Sequence, residues 1–246
     1  MTALTTRFAT LDLAERIAVL RDAVEGRIVF TTSFGLEDQA LTHAIVESGA
    51  AVDIVTLDTG RLFPETVALW AQTERRYGLR VKAYTPAAGD VEALLDEQGV
   101  EGFRGSVAAR KACCDVRKIA PLRRALAGAQ GWITGLRADQ SAARGATPFC
   151  EHDLQRGLVK FNPLADWSRE RALAYVEAHD VPINALHAQG FPSIGCAPCS
   201  RAVAPGEPER AGRWWWEEDG KKECGLHVGA DGRPTRARPH DGEMRA

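Results

Sequence analysis

Long apolar runs are missing from this 246-residue chain. No stretch approaches the roughly 20 apolar residues that a bilayer-crossing helix needs, so no spanning segment is expected. The opening MTALTTRFATLDLAERI has neither the basic start nor the unbroken apolar core of a secretory signal, and a cytoplasmic location is the expectation. An excess of either charge is missing too: 31 Lys and Arg stand against 33 Asp and Glu, a formal net charge of −2. That excludes bulk attraction to nucleic acid or to an anionic membrane, so any anionic ligand must be held by local cations. Neither a Walker loop nor a GxGxxG stretch occurs, no HxxxH spacing recommends a histidine metal site, and there is no internal repeat.

Cysteine is scarce, with six in all, yet four of them are paired in sequence. KACCDVRK places Cys113 beside Cys114, and GCAPCS places Cys196 two residues from Cys199. A bridge between neighbours would close a strained ring, because disulfides want their Cα atoms several Å apart. In a reducing compartment such clustering favours metal or redox chemistry. Four thiolates suit zinc or an iron–sulfur cluster, and spacing does not choose between them. Gly195 and Pro198 suit the tight CAPC turn, while Cys113 and Cys114 are expected at the start of a helix, with Lys118 one turn later on the same face. Ordinary buried small residues are the bland alternative, and a CC and a CxxC together in a cysteine-poor chain argue against it.

Strand-like and helix-like stretches alternate along the first 200 residues. DLAERIAVLRDAV, EDQALTHAIVESG, FPETVALWAQTERRYG, DVEALLDEQG, DVRKIAPLRRALAG and SRERALAYVEAHD carry helical patterning, the last opened by a serine cap. RIVFTTSF, AAVDIVTLDTG, RVKAYTP, GWITGLRA and LVKFNPLADWS read as strands. Strands separated by helices predict an α/β fold with an open, mostly parallel sheet covered on both faces. One α/β domain is expected over 1–203, a segment without a clean period over 204–227 and a disordered polar tail over 228–246.

Ligands of such sheets bind beyond the carboxyl ends of the strands. Three segments are expected there. TTSFGLEDQ offers Ser33 and Gly35 ahead of a helix start suited to phosphate or sulfate; LDTGRLFPET offers Asp58, Thr59, Gly60 and Arg61; TGLRADQSAAR offers Arg137. For each residue singly, a plain turn or a solvated charge is the simpler reading, and the weight lies in their coincidence. In KKECGLH, Cys224 sits among Lys221, Lys222 and His227, cations or near-cations that raise a thiolate fraction. His43, His152, His179 and His187 carry only packing or surface readings, and Cys150 is given no role.

TTSFGLEDQ, LDTGRLFPET, KACCDVRK, TGLRADQS, GCAPCSR and RAGRWWWEEDGKKECGLH, in that order from about residue 27 to 227, resemble the assimilatory sulfonucleotide reductases, specifically the bacterial adenylyl-sulfate (APS) reductases of iron–sulfur type. The resemblance implies an adenine nucleotide alpha hydrolase-like fold, a nucleotide- and cluster-binding domain over 1–203 followed by a mobile catalytic segment over 204–227, and a [4Fe-4S] cluster on Cys113, Cys114, Cys196 and Cys199. It makes Cys224 the nucleophile that takes the sulfonyl group from APS and releases AMP, with a thioredoxin thiol then freeing sulfite. Lys118, Arg137, Arg210, Arg213 and His227 are the expected cations around the anionic substrate, with Ser33, Gly35, Asp58, Gly60 and Arg61 holding the nucleotide. The 3′-phosphorylated (PAPS) branch usually lacks the four cluster cysteines, so their presence implies APS. Nucleic acid and membrane are not expected partners, and a homo-oligomer stays open. An RNA sulfur transferase of the related pyrophosphatase type would want an SGGxDS loop and a basic surface, and a zinc module would leave ECGLH and the nucleotide loops without purpose.

Overall fold

A computed structural model describes residues 8–141, 144, 145 and 147–217. Helix α1 (Leu13–Ala23) opens on a capping box: Asp12 accepts from the Glu15 amide at 2.8 Å and Glu15 accepts from the Asp12 amide at 2.9 Å, which satisfies two donors that a helix start otherwise leaves bare. Strand β1 (Ile28–Thr32) follows, then α2 (Leu36–Ser48), β2 (Asp53–Leu57), α3 (Pro64–Tyr77), β3 (Lys82–Tyr84) and α4 (Ala88–Gln98). Gly49 ends α2 with φ 62°, a left-handed conformation that costs glycine least.

Beyond α4 the chain runs through α5 (Val107–Cys114), a π-helical turn at Asp115–Ile119, α6 (Ala120–Ala125), β4 (Gly131–Ile133), β5 (Cys150–Asp153), β6 (Leu158–Phe161) and α7 (Arg169–Ala178). Ser168 caps α7 by accepting from the Arg171 amide at 3.2 Å, as the sequence predicts. The sheet order is β3-β2-β1-β4-β6-β5. Every neighbouring pair is parallel except β5 with β6. The expected open, mostly parallel α/β sheet is therefore present.

Two packed layers explain its stability. On one face α1, α2 and α7 bury Phe8, Ile17, Leu41, Trp167 and Val176 against Phe30 and Ile133; on the other Leu122, Ala125 and Leu126 meet Val29, Val55 and Trp132. Ile28, Val29 and Phe30 are at most 1% exposed, as a central strand covered on both faces requires. Truncating Phe30 to alanine would cost on the order of 3–5 kcal/mol.

Two expectations are corrected. The segment LVKFNPLADWS is strand only over Leu158–Phe161, and it pairs with a sixth strand, Cys150–Asp153, that the sequence pattern hides. CEHD carries buried acids instead of apolar residues because each has a partner: Lys160 donates to Glu151 at 2.8 Å and Arg156 to Asp153 at 2.6 Å. Cys150 packs in the main core from this strand. Cys113 and Cys114 stand at the last turn of α5, not at a helix start. The helix begins at Ser106, whose hydroxyl accepts from the Ala109 amide at 3.0 Å, and widens into the π turn immediately after the cysteines.

Candidate functional site

The strand order reverses direction between β1 and β4, since β2 and β3 lie to one side of β1 while β6 and β5 lie beyond β4. A cavity of about 200 Å³ opens there, beyond the carboxyl ends of β1, β2 and β4, where open α/β sheets bind ligands. Thr32 to Asp38 form one wall, Thr56 and Thr59 another, and Thr134 and Gly135 a third; Gly195, Arg210 and Arg213 close it from the C-terminal side.

The turn after β1 is held tightly. Phe34 adopts φ 58°, unusual for a residue with a side chain. Its amide donates to Thr32 Oγ1 at 3.0 Å and its ring stacks on Trp70 at 5.7 Å. Gly35 then opens α2 into the cavity. Ser33 lines the cavity, but its amide and hydroxyl both donate to Asp38 Oδ2, at 2.6 and 2.7 Å. Burial pushes the Asp38 carboxyl up to about 6, with the two Ser33 bonds pulling down and Glu37 adding to the rise.

A second, smaller cavity adjoins the first. Cys113, Cys114, Cys196 and Cys199 all line it, with Arg61, Phe103, Arg110, Arg117, Lys118 and Trp214. Two sequence pairs some 80 residues apart are thus brought together. Lys118, Cys196 and Trp214 line both cavities. Cys196 Sγ lies 3.3 Å from Thr59 Oγ1. Burial raises the Cys196 thiol, yet Lys118, Thr59, Arg213 and Arg117 more than offset it and leave its pKa lowered. Cys199 is pushed up to about 11 by burial and by Cys196, and Cys113 is raised by burial against the pull of Arg117 and Arg61. Among the described residues no three His, Cys, Asp or Glu side chains are arranged to hold a metal ion. Arg117 Nε, Arg213 Nε and Trp214 Nε1 are buried around these two cavities with no acceptor.

The CAPC turn and the segment before Trp214 are fastened to one another. Ser200 and Arg213 form an antiparallel bridge, Arg201 donates its amide to Gly212 O at 3.0 Å, and the Ala197 amide donates to Arg61 O at 2.8 Å. The Arg213 guanidinium lies 4.7 Å from the Trp214 ring centroid, a favourable cation–π distance. A Cβ at Gly195 would collide with that guanidinium. Trp214 is 1% exposed, and Arg110 pairs with Glu217 through two bonds of 2.8 and 2.9 Å. The chain is thus packed against the domain as far as Glu217.

The predicted site residues divide. Ser33, Gly35, Lys118, Arg210 and Arg213 line the larger cavity. Asp58 and Gly60 do not: Asp58 accepts from the Gly60 amide at 2.9 Å to close their own turn, and the neighbour Thr59 faces the cavity instead. Arg61 belongs to the cysteine cavity, where it lies 5.1 Å from the Phe103 ring centroid and donates to Val100 O at 2.8 Å. Arg137 is 0% exposed and sits behind the wall, bonded to Glu37, Asp139 and Glu209. Cys224, His227 and the tail 228–246 lie outside the described residues. Thr59, named with that turn, lines the cavity; sequence reasoning misses Asp38 and His187, which line it too. Asp38 lies inside TTSFGLEDQ; His187, whose Nδ1 meets Phe191 O at 2.8 Å, stands in a stretch without any motif.

A family model for the phosphoadenosine phosphosulfate reductase domain matches residues 27–202. The chain belongs to this family. A protein of Sinorhizobium fredii named adenosine 5′-phosphosulfate reductase is 56% identical over 226 residues, covering 92% of this chain and 90% of its own length. One of the same name from Allochromatium vinosum is 53% identical over 81% of this chain and 78% of its own. Among solved structures, the phosphoadenylyl-sulfate reductase of Candida auris, in a phosphate complex, superposes with a TM-score of 0.70 at 25% identity, covering 82% of this chain and 95% of that one. The matched span takes in all three walls of the larger cavity and both cysteine pairs.

Proposed function

We propose that this protein reduces adenosine 5′-phosphosulfate to sulfite and AMP with thioredoxin as the thiol donor, in assimilatory sulfate reduction. The carrying observation is the shared wall of the two cavities: Lys118 and Cys196 border both a cleft at the sheet's reversal point and a chamber lined by four cysteines. Relatives more than half identical that bear the APS reductase name support the same substrate.

The chemistry is a transfer between anions. The Cys224 thiolate attacks the sulfate sulfur, the bond from that sulfur to the bridging oxygen breaks, and AMP leaves with the electron pair. A thioredoxin thiolate then attacks Cys224 Sγ and sulfite departs; the second thioredoxin thiol resolves the mixed disulfide, so the two electrons come from thioredoxin. Lys118, Arg210 and Arg213 are the cations that make the encounter of thiolate and sulfate tolerable, since preorganised charges held by the protein act more strongly than ions in solvent. His227, three residues after Cys224 in ECGLH, is the candidate to contact the sulfate or tune the thiol.

Cys113, Cys114, Cys196 and Cys199 are the residues that would hold a [4Fe-4S] cluster. The chamber fits it on its donor chemistry: four soft sulfurs, no carboxylate among the lining residues, and buried N–H donors on Arg117 and Trp214 that want an anionic acceptor. Zinc would draw on the same four sulfurs, and the iron and sulfide content of the purified protein tells the two apart. Bound there, the cluster would supply a charged anchor that fixes the cysteines and the adjoining cations relative to the substrate.

A second reading, reduction of the 3′-phosphorylated nucleotide, draws on the structural likeness to the Candida auris enzyme. Sulfite release from APS and from PAPS, measured with a thioredoxin system, separates the two. Release from APS alone is expected, PAPS preference would replace the first reading with the second, and release from neither would overturn both.

A further inference from the structure

Arg137, expected from the sequence to meet the substrate, has no part in the lining of the cavity. Its Nε donates to Glu37 at 2.7 Å, one terminal nitrogen to Asp139 at 2.8 Å, and the other to both oxygens of Glu209 at 3.0 and 2.8 Å. The side chain is 0% exposed. Burial works against its charge, but Glu37 and Glu209 more than offset that and hold it protonated more firmly than usual. Its two chief partners do face inward: Glu37 and Glu209 line the nucleotide cavity, and Glu209 is the chain neighbour of Arg210. Arg169 adds a weaker contact to Glu209 at 3.5 Å. Burial and Glu37 raise the Glu209 carboxyl, while Arg137 and Arg169 lower it.

Two carboxylates in the wall of a cavity for an anion are a liability. Each repels the ligand, and the repulsion is strong where water is scarce. We propose that Arg137 is a positioning residue that offsets the charge of Glu37 and Glu209 from behind, so that a wall containing two acids accepts an anionic nucleotide. The inference rests on the reading of the cavity as an adenine-nucleotide site and deepens it. Arg137 ties the first turn of α2, the loop after β4 and the segment bearing Arg210 into one ion-paired unit. The cost of leaving any member alone is high, because truncating one partner of a buried pair strands the other charge.

This role and direct contact with the substrate predict opposite behaviour for Glu209. AMP affinity is measured by calorimetry at pH 8 and low salt on the full chain, with far-ultraviolet dichroism as a check of folding. Arg137→Met should weaken AMP binding at least tenfold, and Glu209→Gln in that background should restore a measurable part of the loss, because it removes one of the two wall charges left uncompensated. A ligand-touching arginine would show no such rescue, and its absence overturns the inference. Should Arg137→Met fail to fold, Glu209→Gln alone decides. With Arg137 in place it should tighten AMP binding severalfold, whereas unchanged or weaker binding overturns the inference. No AMP binding by the unaltered protein would sink the nucleotide reading itself, and this inference with it.

Discussion

Thr59 Oγ1 and Cys196 Sγ lie 3.3 Å apart, so the turn that walls the nucleotide cavity touches a cysteine of the other chamber. Arg117 strengthens the joint by donating to Thr59 O at 2.8 Å. Whatever occupies the cysteine chamber therefore bears on the loop after β2 through two direct contacts. Thr59→Val keeps the shape and removes the hydroxyl; it is expected to raise KM for APS severalfold with the iron content unchanged. Loss of iron in that variant would instead make the hydroxyl a support of the cysteines alone.

If Cys224 is the nucleophile proposed, Cys224→Ser should end sulfite release while AMP binding persists, because Lys118, Arg210 and Arg213 line the cavity from the described domain. Mass spectrometry after incubation with APS should find a sulfonate adduct on the unaltered protein at position 224 and none on the variant. An adduct elsewhere, or turnover by the variant, would remove Cys224 from the mechanism.

Cys199→Ser should abolish bound iron, acid-labile sulfide and visible absorption together. Cys150→Ser should keep all three, since Cys150 packs in the main hydrophobic core and lies on neither cavity's wall. Colourless protein carrying zinc would replace the cluster reading with a structural metal.

Gly195→Ala forces the Arg213 guanidinium out of its place. A charge-assisted contact is worth about 1.5–3 kcal/mol, so affinity for APS should fall by about tenfold to a hundredfold, as it should for Arg213→Ala. The double variant should be no worse than either alone if both act on one contact. Additive losses would separate the glycine from the arginine.

The Asp38 carboxyl gives a signature in pH. Its folded value is raised, to about 6, so the group favours the folded state most at low pH, and that advantage is lost as pH rises from about 4 through 6. Between pH 5 and 8 the unaltered protein should lose roughly 1 kcal/mol more stability than Asp38→Asn, since a tenfold change in a proton equilibrium is worth about 1.4 kcal/mol. Urea unfolding at the two pH values measures it. Equal losses would mean that the carboxyl is hydrated in solution.

Much of this architecture is legible in the sequence because it rests on local chemistry. Apolar runs such as RIVF and ITG, a serine ahead of α7 and a glycine after α2 each act over a few residues, and each element lies where its pattern does. The cysteine chamber is legible for a different reason, since pairing CC with CxxC leaves few alternatives in a chain so poor in cysteine. What stays hidden depends on long-range pairing. Strand β5 is built from acids whose partners, Lys160 and Arg156, arrive from across the hairpin. The burial of Arg137 needs Glu209, 72 residues away, and no window on the sequence joins them. Ser33 has the look of a phosphate ligand, yet its donors are claimed by Asp38 through a bond that depends on the turn's fold.

The buried pair of Arg110 with Glu217 has a geometric corollary for the reacting thiol. Arg110 stands one helical turn before Cys114, so Glu217, the last described residue, is moored to the helix that carries half of the cysteine set. Seven residues lead from Glu217 to Cys224, which confines the thiol to a sphere of about 25 Å radius at full extension. A thiol held within that radius has a local concentration in the millimolar range, far above what a diffusing partner would offer.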